Sequence, residues 1–95
     1  MAENEIYKTA LSRAMALCAG REQCIKDIRQ KLISWNVALH DTGRIIDTLV
    51  RENFINEERY AGAFVKDKFT CNRWGKVKIA AHLRAKGIPQ SPGAL

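Results

Sequence analysis

The sequence predicts an all-α protein of tandem three-helix, helix-turn-helix-like repeats, with five short helices in a three-plus-two arrangement. Three observations lead there. Apolar residues recur at three- and four-residue spacing in five separate segments, the mark of helices with one buried face. No segment alternates with a period of two over a useful length, as a half-buried strand would. A block also occurs twice at a constant offset of 51 residues: Ile28, Leu32, Asn36-Val37 and then Ile79, Leu83, Gly87-Ile88. Self-similarity at a fixed period signals a repeat architecture.

The first helix is expected from about Glu3 to Ala19, with Tyr7, Ala10, Leu11, Ala14, Met15 and Cys18 on one stripe and Gly20 as the residue that ends it. Arg21 and Glu22 lead into a second helix whose apolar face is Ile25, Ile28, Leu32 and Trp35. Asn36 closes it, because asparagine tolerates the left-handed conformation. A third helix is expected from His40-Asp41, with Asp41 as N-cap. It buries Ile45 or Ile46, Leu49 and Val50, and Asn53 stops it. After the apolar link Phe54-Ile55, Asn56 caps a fourth helix that carries Glu57 and Glu58 in its first turn, the sign that the helix dipole favours. Tyr60, Ala61, Phe64, Val65 and Lys68-Phe69 form its stripe. Asn72 to Gly75 is the break. A fifth helix runs from about Lys76 to Ala85, buries Ile79 and Leu83, and ends at Gly87. Trp74 sits in the break beside Arg73 and Lys76 and is expected to staple the fifth helix to the fourth, since a large buried aromatic contributes heavily to a small core; the alternative is that it stacks on a partner. The organisation is thus a first three-helix repeat over 1–55, a two-helix basic repeat over 56–88 and an irregular Pro/Gly-containing tail over 89–95.

Composition narrows the function classes. No run of the 95 residues reaches the roughly 18 apolar residues of a membrane span, and the N-terminus Met1-Ala2-Glu3-Asn4-Glu5 does not read as a signal peptide. Cytoplasm is the expected location. Cys18, Cys24 and Cys71 are an odd number with no C-x-x-C pair, so neither a disulfide framework nor structural zinc is expected. Cys18 and Cys24 fall at helix positions where a thiol behaves as a small hydrophobe. His40 and His82 are isolated, at a helix start and on an exposed helix face. With no nucleophile and base pair, no phosphate-cradling glycine loop and no carboxylate cluster, no catalytic residue and no cofactor is expected.

The net charge of +6 is concentrated. Arg59 to Lys86 holds eight basic residues against one acid, Asp67, whereas the remainder is nearly neutral. Such a field favours a polyanionic partner.

The run Phe54-Ile55-Asn56-Glu57-Glu58-Arg59-Tyr60-Ala61 followed by Ala63-Phe64-Val65 resembles the RecX family of bacterial recombination regulators. Trp74-Gly75-Lys76-Val77-Lys78-Ile79 and Leu83-Arg84-Ala85-Lys86-Gly87-Ile88 resemble that family's next helix, opened by an aromatic-Gly pair and closed by a Lys-Gly-Ile-like triplet. Lys76 departs from the pattern, where proline is common. The resemblance covers roughly Tyr7 to Pro89 and implies a chain cut to about the first one and two-thirds repeats of a three-repeat protein. It further implies a partner, the RecA filament on single-stranded DNA, and a role in modulating, mainly inhibiting, the ATPase, recombination and coprotease activities of RecA in DNA repair and the SOS response. Without a sixth helix, the isolated chain is expected to form a homodimer or to pack its tail across the gap.

A filament groove and DNA phosphate are both polyanions, so the expected binding face is Arg73, Lys76, Lys78, Arg84 and Lys86, with Lys66 and Lys68 on its rim. The alternative is a general nucleic-acid-binding helical module without RecA specificity. The fifth helix offers little for reading base edges beyond Arg84.

Overall fold

The computed structural model describes residues 2–88, with side chains from residue 5 onward, and all regular structure among them is α-helical. The helices are α1 (Ala2–Gly20), α2 (Ile25–Ser34), α3 (Leu39–Arg51), α4 (Glu57–Thr70) and α5 (Lys76–Ala85). The expected tail over 89–95 lies outside the described residues. By its contacts the chain divides into two compact units, Met1–Asn56 and Glu57–Leu95.

In the first unit, α1, α2 and α3 pack against one another. Ala10 and Ala14 of α1 are buried; small side chains one turn apart let the other two helices approach closely. Ile28 and Leu32 of α2 and Ile45, Ile46 and Leu49 of α3 fill the centre, closed by Val37 and Ile55. Two expectations for α3 are corrected. The helix begins at Leu39 with Ala38 in the N-cap position, and the Thr42 amide donates to the Ala38 carbonyl at 2.8 Å. Asp41 therefore sits within the first turn, beside the dipole's positive end, and pairs with Arg44 at 3.5 Å. Val50 is 44% exposed, and Thr42 completes the buried face instead. At 100° per residue, Val50 falls about 90° from the centre of the face that Thr42, Ile45, Ile46 and Leu49 define. Gly20 is the last residue of α1 rather than a left-handed terminator. Cys24 is fully buried but occupies the N-cap position of α2, outside the helix. Cys18 is half-buried and Cys71 exposed.

In the second unit, α4 packs on α5. Ile79, Leu83 and Ile88 are buried, while Tyr60, Ala61, Phe64, Val65 and Lys68 of α4 form a half-buried stripe. Phe69 was expected to join that stripe and is 58% exposed. It lies about 110° from the stripe's centre, where Lys68 stands instead.

The doubled block is doubled in backbone as well. The bounds of α2 and α5 are themselves offset by 51 residues. Val37 N–H donates to Leu32 O at 3.1 Å and Asn36 N–H to Ile33 O at 3.0 Å; the counterparts are Ile88 to Leu83 at 3.0 Å and Gly87 to Arg84 at 2.9 Å. These are the two bonds of a Schellman motif, which needs a left-handed residue at C′. Asn36 (φ 63°) and Gly87 (φ 79°) supply it. The motif commonly carries apolar residues at C″ and C3, and here both are buried in each copy: Val37 and Leu32, Ile88 and Leu83. Asn53 (φ 64°) ends α3 in the same way, with Phe54 N–H donating to Leu49 O at 2.8 Å.

Candidate functional site

The basic residues of the second unit lie on two helices and the turn between them. Lys66 and Lys68 are on α4, Arg73 is in the turn, and Lys76, Lys78 and Arg84 are on α5 with Lys86 at its C-cap. Lys66, Arg73, Lys76, Lys78 and Arg84 are exposed, whereas Lys68 and Lys86 are half-buried. Side-chain direction divides the α5 set. Ile79 and Leu83 mark its buried side, and Lys78 and Arg84 stand about 120° to either side of that direction. The residues expected on one binding face are thus spread over both shoulders of the helix.

What draws some of them together is a cluster of rings. Tyr60 and Phe64 stack with centroids 6.0 Å apart, and Phe64 meets Trp74 edge-on at 6.1 Å. His82 lies 4.7 Å from Trp74 and 6.3 Å from Phe64. Trp74 is half-buried among them, so it joins the α4 and α5 sides of this unit as the expected staple does. His82, though exposed, belongs to the ring cluster rather than to a bare helix face. Two ammonium groups sit on these rings. Lys78 Nζ is 4.1 Å from the Trp74 centroid; Lys68 Nζ is 5.1 Å from Trp74 and 5.7 Å from Phe64. Each is held by the negative face of the ring. Lys68 also meets Asp67 at 3.6 Å, a surface pair of small energetic weight.

Sequence reasoning placed Lys68 and Lys78 by charge and missed their aromatic partners. The signal was present: Tyr60, Phe64 and Lys68 are four residues apart, as are Trp74, Lys78 and His82. Residues at that spacing share a helix face, which holds for Tyr60, Phe64 and Lys68 on α4 and for Lys78 and His82 on α5, while Trp74 stands two residues before α5 begins.

Arg73 has φ 57°. Among the described residues, the other left-handed positions hold Asn36, Asn53 and Gly87, residue types suited to the conformation. Arg73 holds it against that preference, and the turn is closed by Trp74 N–H donating to Lys68 O at 2.8 Å.

The first unit has its own ring-cation contacts, Arg13 over Trp35 at 4.0 Å and Arg44 over Tyr7 at 4.8 Å. Beside the first is an open groove of about 370 Å³ lined by Glu5, Ile6, Thr9, Arg13, Trp35 and Val37. Among the described residues, no three His, Cys, Asp or Glu side chains are grouped to hold a metal ion, and no helix is long and apolar enough to cross a membrane.

Comparison with known proteins agrees with the repeat. The family model for the RecX second three-helix domain matches residues 56–91. Over 89 residues the chain is 34% identical to the regulatory protein RecX of Clostridium acetobutylicum, covering 94% of this chain and 41% of that protein. It is 29% identical over 89 residues to the regulatory protein RecX of Clostridioides difficile, covering 94% of this chain and 42% of that one. The chain therefore spans about two fifths of the length of the curated relatives it matches. No solved structure matches it.

Proposed function

The chain belongs to the RecX family, and from that premise we propose that it is a non-enzymatic regulator that binds the RecA filament on single-stranded DNA. In this reading it damps the ATPase, recombination and coprotease activities of RecA in DNA repair and the SOS response, in the cytoplasm where such filaments form. The observation that carries the reading is the coincidence of charge and family. The span matched by the RecX second domain contains the stretch, Arg59 to Lys86, that holds the excess of lysine and arginine. The groove of a nucleoprotein filament presents acidic protein surface and phosphate together, and the exposed Lys66, Arg73, Lys76, Lys78 and Arg84 give the field that such a groove attracts. Phosphate contacts of this kind hold a protein in place without reading sequence, which suits a partner that must act wherever a filament has formed.

The test is ATP hydrolysis by RecA on single-stranded DNA with increasing amounts of this chain. Hydrolysis is expected to slow at concentrations where the chain's binding to naked DNA is weak. Slowing that sets in only once the DNA is saturated would show competition for DNA instead.

A further inference from the structure

Electrostatic attraction to a filament makes no use of the ring cluster around which Lys68 and Lys78 are arranged. We propose that Trp74 is a stacking site for an unpaired base of single-stranded nucleic acid, with Lys78 and Lys68 placed to take the adjoining phosphates. The inference stands on the geometry of the second unit alone and does not depend on the RecA reading.

Binding of single strands without sequence preference combines a row of cations with an aromatic face on which a base can lie. Both are present here within one side-chain length. Trp74 is half-buried, its plane fixed by Phe64 edge-on at 6.1 Å and His82 at 4.7 Å. A ring already held in place loses little freedom when a ligand lands on it. The Lys78 ammonium lies over the indole at 4.1 Å on an exposed, unbranched side chain. A base stacked on an aromatic outweighs a single exposed cation–π contact. An incoming base therefore displaces the ammonium from the ring, and the freed ammonium finds the phosphate attached to that nucleotide. Lys68, 5.1 Å from the same ring, reaches the next phosphate and exchanges its Asp67 contact at 3.6 Å for it. Arg73 and Lys76 flank Trp74 in the chain and are exposed, extending the cationic track. A duplex hides its base faces and gains only the charge. An acidic peptide likewise uses the cations and leaves the indole idle.

The test uses the whole chain with Trp35→Phe, so that all tryptophan emission comes from Trp74, and no RecA. Ligands are an oligothymidylate of about 12 nucleotides, within the site sizes of single-strand binders, the abasic backbone of the same length, and polyglutamate. Oligothymidylate is expected to quench Trp74 emission and to bind about tenfold or more tighter than the abasic backbone. Trp74→Ala should erase that preference, leaving the two oligomers alike. Lys78→Gln, which leaves every ring in place and guards against a folding defect in Trp74→Ala, should flatten the log–log salt dependence of binding by about 0.7. Equal affinity for oligothymidylate and abasic backbone, unchanged emission on binding, displacement by polyglutamate at equal charge, or no binding at low salt would each overturn the proposal.

Discussion

Arg73 is where a single residue's conformation and its charge pull in different directions. A left-handed backbone costs an ordinary side chain about 1–2 kcal/mol, and the turn between α4 and α5 carries it at φ 57°. Arg73→Gly removes that penalty and restores part of it as unfolded-chain entropy. A net gain of about 0.5 kcal/mol is expected, or about 2–4 °C in Tm for a domain of this size. The same substitution removes an exposed cation beside Trp74 and should weaken polyanion binding. A thermal melt and a salt-dependent binding curve on one variant check both halves; a melt that moves down would show the arginine side chain to be structural. The left-handed ends at Asn36, Asn53 and Gly87 were legible from residue type, because asparagine and glycine are the types that tolerate the conformation. Arg73 was not, because nothing in an arginine advertises a positive φ. The Asp41 cap failed because residue type alone does not fix where a helix begins. The helix starts at Leu39, the Thr42 amide already donates to the Ala38 carbonyl, and Asp41 stands inside the first turn rather than before it.

At the scale of the helix, α2 and α5 are one element built twice. Ile28 and Ile79 are both fully buried, as are Leu32 and Leu83 within 1%, and both helices close by the same pair of bonds. Leu32→Ala and Leu83→Ala should therefore destabilise their own units by comparable amounts, about 2–5 kcal/mol each. Denaturant unfolding followed by circular dichroism measures both. A near-neutral Leu83→Ala would mean that the second copy does not use its leucine as the first does. The stripes of α1, α2 and α5 were readable from spacing alone. Those of α3 and α4 were readable only in part, because a stripe's edges depend on the neighbour. Val50 and Phe69 are apolar and at helical spacing, yet both fall near 90° or more from the face that the packing selects, and both are exposed.

Across the whole chain, a nearly neutral first unit precedes a basic second one. If the proposed filament binding uses this face, reversing charge at Lys76, Lys78 and Arg84 together should abolish it in co-sedimentation while far-UV circular dichroism stays unchanged, since all three are exposed. Retained binding would move the contact surface elsewhere. The candidate site was legible in the sequence as a charge excess, and the residues quoted for the family resemblance from Asn56 to Ile88 lie within the span that the RecX second-domain match covers. The use of individual charges was not. The sequence by itself determined the helices, the 51-residue repeat and the asymmetry of charge, because these follow from local periodicity, terminator chemistry and composition. Only the tertiary structure decided that the α4 ring Phe64 meets Trp74 and His82, which brings Lys68 and Lys78 to one indole. That choice depends on which helix faces meet, and residues of different helices become neighbours only when the core between them has been buried.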